Sequence, residues 1–142
     1  MARKFSWSST YDAGSGDVVF YARNDDSDRE LSIRNILLGS VANNLFHIYT
    51  ATGTPRGTAV SGENRSRISL KRTSTGVATT LGDAAVLDVV VEGLITRRRV
   101  PANRSEEIVF DEGEFVLGSG DAMIIQVAVS GVFEAVVMGE YA

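Results

Sequence analysis

"GSGDAMIIQVAVSGVFEAVVMGEYA", residues 118–142, alternates apolar and polar side chains with almost no break. Met123, Ile125, Val127 and Val129 fall on one side of an extended chain. Phe133, Ala135, Val137 and Tyr141 do the same, opposite Glu134, Met138 and Glu140. A period of two is the mark of a half-buried antiparallel strand, apolar inward and polar outward. "GSGD" and "SG" are turn signals, so the stretch predicts two strands joined as a terminal hairpin by a short glycine turn.

The same period extends back along the chain. "VLDVVVEGLI" (86–95) sets Leu87, Val89, Val91 and Ile95 against Asp88 and Glu92. Shorter candidates are "DVVFYAR" (17–23), "LFHIYT" (45–50), "SRISLKR" (66–72) and "EEIVFD" (106–111). "ELSIRNILL" (30–38) keeps Leu31 and Ile33 in phase, then slips at Asn35 so that Ile36 and Leu38 take over. Such a slip predicts a β-bulge. No segment carries a helical period over helical length, and "TGVATTLGDAAV" (75–86) offers a turn or two at most. Eight or so short strands predict an all-β, single-domain antiparallel β-sandwich, jelly-roll-like, over residues 1–142. Residues 1–10 are then available as an N-terminal arm to a neighbour. Residues 53 to about 65 read as a long connection into the "SRISLKR" strand, with Ile68 and Leu70 facing in. We expect that connection to be ordered in an assembly and mobile in an isolated subunit.

Net charge is −4, against a general nucleic-acid binder. The distribution is more informative. Residues 54–104 hold nine Lys/Arg and four Asp/Glu, whereas residues 105–142 hold eight Asp/Glu and no Lys or Arg. Either the domain pairs these segments across its own strands, or oppositely charged patches let copies meet side by side. Apolar runs are too short for a membrane-spanning helix, and no signal peptide is recognisable, so a cytoplasmic site of synthesis is expected. Cysteine is absent, which excludes disulfides and thiolate metal sites.

Residues that carry chemistry are scarce. His47 is the sole histidine, and no nucleophile-elbow motif accompanies it, so it is expected on the polar side of a strand. Outward carboxylates such as Glu134 with Glu140, or Asp88 with Glu92, are what any soluble strand displays. "NDDSD" (24–28) lacks the glycine and distal glutamate of a calcium loop. The "GSG" pieces lack a phosphate loop's lysine, and no cofactor or metal is expected. "ITRRRVPANRSEE" (95–107) stands out. In a strand Arg97 and Arg99 face one way and Arg98 the other. They either guard an edge strand by charge or grip carboxylates on a neighbouring protein.

One resemblance spans most of the chain. After an N-terminal strand pair come "IRNILLGSVANNLFHIYTATGTPRGTAVSGENRSR", "TSTGVATT", "EIVFDEGEFVLGSGDAMIIQVAVSG" and a closing "VVMGEY". This layout resembles the small all-β virion proteins of tailed phages and related viruses, notably head decoration (cement) proteins. "GTPRGTAVSGENRSR" is similar to that family's Gly-Thr-rich insertion, and "DEGEFVLGSGDAMIIQV" to its late turn-then-strand section. The triple arginine at 97–99 departs from the layout. The resemblance implies a jelly roll, commonly a homotrimer, on the capsid surface, with the major capsid protein and itself as partners. Expected protein contacts are Arg56, Arg65 and Arg67, then Arg97, Arg98 and Arg99, with Phe5 and Trp7 from the arm. The alternative is a receptor- or carbohydrate-binding module of a tail or head fibre, with Trp7, Tyr11, Tyr21 or Tyr49 stacking on sugars. A small enzyme resting on carboxylates is the third reading.

Overall fold

A computed structural model describes residues 3–13, 18–24, 28–53, 58–64, 73–80 and 89–141. They form eleven strands and, among the described residues, no helix. The strands are β1 (Arg3–Ala13), β2 (Val18–Arg23), β3 (Leu31–Ser40), β4 (Asn44–Gly53), β5 (Thr58–Asn64) and β6 (Thr73–Thr80). They continue with β7 (Val89–Val100), β8 (Arg104–Val109), β9 (Val116–Leu117), β10 (Ala122–Val127) and β11 (Gly131–Tyr141). Hydrogen bonding follows the order β7-β4-β10-β2-β6-β5-β1-β11-β3-β8, and β9 pairs with β3. Every pairing is antiparallel.

Two four-stranded layers lie within that path: β1-β11-β3-β8 and β2-β10-β4-β7. Successive strands pass from one layer to the other, except between β4 and β7, which are direct neighbours. That order is the two-Greek-key arrangement of a jelly roll. Seven of these eight coincide with expected strands; the eighth is β1, while the expected strand at 66–72 lies outside the described residues. The additional ones are the two-residue β9 and the β5–β6 hairpin, which bonds to β1 on one side and β2 on the other. The hairpin thus straps the two layers together along one side of the sandwich.

Side chains of both layers meet in one core. Leu31, Ile33, Ile36 and Leu38 of β3 and Phe133, Ala135 and Val137 of β11 face Phe46 and Ile48 of β4 and Met123, Ile125 and Val127 of β10. Across the layers the rings of Phe46 and Phe133 meet edge to face, 5.7 Å apart at 89°. The expected bulge in β3 is present. Asn35 pairs with Met138 and Ile33 with Gly139, so Arg34 is the extra residue. Arg34 points outward, donating to Glu140 Oε1 at 2.7 Å, and Leu31 and Ile33 stay inside. Gly139 leaves little room at this point: a Cβ there would lie 3.0 Å from Leu31 Cδ1 and 3.1 Å from the Ser32 carbonyl oxygen, so a side chain would have to push both aside slightly.

Several expectations need correction. The strands of 118–142 are not a hairpin: β10 pairs with β2 and β4, β11 with β1 and β3, so residues 128–130 cross between layers. A buried Asn44 holds this crossover. Its Oδ1 accepts from Ala128 N at 3.2 Å and Val129 N at 3.1 Å, while Nδ2 donates to Val129 O at 2.8 Å. Gly131 begins β11 at φ 150, a conformation open to glycine. Val129, expected inside, is exposed because β10 ends at Val127. From Arg3 onward the segment expected as an arm is β1, laddered to β11 from Arg3↔Tyr141 to Ala13↔Gly131. Residues 58–64, read as connection, are strand β5; of 75–86, offered as a helical turn or two at most, residues 75–80 belong to strand β6 and the remainder lies outside the described residues. Ile68 and Leu70 lie outside the described residues.

Candidate functional site

Among the described residues β7 is an edge strand, bonded to β4 alone. Its register jumps twice: Ile48 pairs with Thr96 but Tyr49 with Leu94, and Thr50 pairs with Gly93 but Ala51 with Val91. Ile95 and Glu92 are therefore bulged residues. Bulges twist an edge away from further pairing, as charged side chains also do.

The two jumps decide where β7's apolar side chains go. Val91 and Ile95, expected inward, are 46% and 39% exposed, and Leu94 is 48% exposed. Opposite Leu94 and Val91 stand Tyr49 and Ala51, which belong to the outer face of this layer. There Tyr21, Ala51, Ala122 and Ile124 make a second, buried apolar cluster with Tyr49 packed against it. The outer face is thus covered over β2 and β10 and uncovered toward β7. Sequence reading missed this because alternation reports which residues share a face only while the register is unbroken. The local signals were the Glu92-Gly93 interruption and the adjacent Leu94-Ile95 pair.

Arg97, Arg98 and Arg99 continue the strand opposite His47, Phe46 and Leu45. Arg97 and Arg99 are exposed on the outer face, and Arg98 is half-buried on the other side, as expected. None of the three makes an ion pair among the described residues. His47 lies on the outer side of β4, its ring stacked 5.9 Å from that of Tyr49. Of the other expected contacts, Arg56, Arg65 and Arg67 lie outside the described residues. Phe5 and Trp7 are in β1, opposite Gly139 and Val137. Tyr21 is fully buried, so it cannot offer the sugar-stacking surface considered for it.

The other layer carries acids near its own edge strand, β8. Glu107 of β8 and Glu134 of β11 are exposed, beside Val109 at 65% exposure and the exposed Val132. Leu37 and Val136 lie half-buried between them, paired in one row with Glu107. Glu107 accepts from Asn35 Nδ2 at 2.6 Å, and neither acid makes an ion pair among the described residues. A groove of about 380 Å³ adjoins Glu134 and Val132, with Val41, Asn103 and Arg104 on its other wall. Among the described residues no three His, Asp or Glu gather as a metal cluster. No described helix is long and apolar enough to cross a membrane.

No family model and no curated protein matches the chain.

Proposed function

We propose that this chain is a viral capsid decoration protein, a homo-oligomer that binds the outside of a capsid lattice and stabilises contacts between capsomers. The single observation that carries an assembly role is the β7 strip. Arg97 and Arg99, with no ion pair among the described residues, continue a row of exposed Val91, Leu94 and Ile95 on a bulged edge strand. Exposed apolar area rimmed by unneutralised charge is the composition of a protein–protein contact. The resemblance of the whole layout to head decoration proteins supplies the capsid as the partner. A jelly roll suits mechanical work, because its strands cross-link two layers in both directions along the chain. The protein would act by adding interface across capsomer boundaries, which opposes their separation under internal pressure.

The test is retention on purified capsids together with solution mass. Light scattering is expected to give an oligomer, commonly a trimer in the resembling family, and the protein is expected to sediment with capsids. A monomer that stays in the supernatant overturns the proposal.

A further inference from the structure

We propose that copies of this chain join head to tail, with the β7 flank of one copy seated on the β8–β11 flank of the next. The inference rests on the homo-oligomer reading above and specifies the surfaces that would build it.

The two flanks match in chemistry. One presents Val91, Leu94 and Ile95 with Arg97 and Arg99, the other Val109 and Val132 with Glu107 and Glu134. Each combines exposed apolar side chains with a predominant charge, basic on the first despite the exposed Glu92 and acidic on the second despite Arg104, and neither the arginines nor the two acids make an ion pair among the described residues. Among the described residues these arginines and acids do not pair with one another, so their complementarity is available to another molecule, and a second copy carries the required opposite patch. The groove beside Glu134 adds a recess for a neighbour's apolar side chain, while Arg104 on its far wall repels the incoming arginines and steers them toward the acids.

Placement in the fold favours closure over endless growth. β7 and β8 are the two ends of the hydrogen-bonded path, and the turn at Pro101–Asn103 joins them at one rim of the sandwich. One flank lies on either side of that rim. A subunit with its rim toward an axis would offer one flank to each neighbour, which is the heterologous contact of a closed ring. The bulges at Glu92 and Ile95 disfavour strand-to-strand addition, so the contact is made through side chains.

Charge reversal tests this. Arg97→Glu with Arg99→Glu, and separately Glu107→Arg with Glu134→Arg, are each expected to raise the dissociation constant of the oligomer about tenfold or more by sedimentation. The chain carrying all four substitutions should reassemble, because both flanks have exchanged sign. Leu94→Glu, an exposed position on the first flank alone, should also dissociate the oligomer without lowering the melting temperature, which covers the event that a reversal variant fails to fold. Oligomers that survive both reversals, or a fourfold variant that stays monomeric while folded, overturn the interface. Capsid retention of the wild-type chain is read separately. If reversal and rescue behave as stated but the wild type ignores capsids, the decoration reading fails and the interface stands.

Discussion

Asn44 illustrates what one side chain can decide. It is 1% exposed and serves three backbone groups of the crossover, besides accepting from its own neighbour Leu45 N at 2.8 Å. Buried amides left without partners cost more than the bond itself is worth. Asn44→Ala is therefore expected to destabilise the domain by about 3 kcal/mol, read as a shift in the urea midpoint. Asn44→Asp should recover only part, since it keeps the acceptor, loses the donor to Val129 O and places a charge in a dry site. Nothing in "VANN" announces this role. The partners lie 84 and 85 positions away, so they become visible only once β4 and β10 are adjacent. The inward set of β11, by contrast, was legible, because each residue's neighbour two places along repeats the assignment.

At the scale of elements, the bulge in β3 separates two roles of Arg34. As a side chain, it pairs with Glu140 at 2.7 Å in a partly exposed setting. Arg34→Ala should accordingly cost only about 0.5–1 kcal/mol, less at high salt. As a spacer it is the extra residue, since Ile33 pairs with Gly139 and Asn35 with Met138 on either side of it. Deleting residue 34 therefore removes the bulge and leaves Leu31 and Ile33 in phase with Ile36 and Leu38, because alternation then runs unbroken through the strand. The deletion variant is expected to keep a cooperative thermal transition by calorimetry. Loss of the transition would show that the kink itself is needed. This bulge was legible because two in-phase apolar sets flank the slip, Leu31 with Ile33 and Ile36 with Leu38. Those in β7 were not, because two slips three residues apart restore an apparent alternation over "VVVEGLI". The terminal "hairpin" failed for a different reason: a Ser-Gly turn looks the same whether the chain returns beside itself or crosses to the facing layer.

For the molecule as a whole, strand count and turn spacing were enough to anticipate a jelly roll, while the strap of β5 and β6 was hidden in Thr- and Ala-rich sequence with no strong apolar rhythm. The candidate site was half legible. The arginines were visible as a run, but their apolar companions depended on register. Because its flanks combine apolar area with charge, assembly should weaken with salt without vanishing. Raising sodium chloride from about 0.05 M to about 0.5 M shortens the screening length several-fold, so the oligomer's association rate should fall while its apolar contacts persist. An association rate unaffected by salt would argue that the arginines stay outside the contact.

The ladder between β1 and β11 bears on how such a molecule can carry load. Arg3 faces Tyr141, so the outer ends of these strands leave the sheet side by side. Tension applied there peels the ladder open one rung at a time, the compliant direction of an antiparallel pair. A single-molecule pull from positions 3 and 141 is therefore expected to open this ladder progressively at low force, and a single high-force rupture would show that the load passes elsewhere. A clamp built on this fold should be left slack at the β1–β11 end.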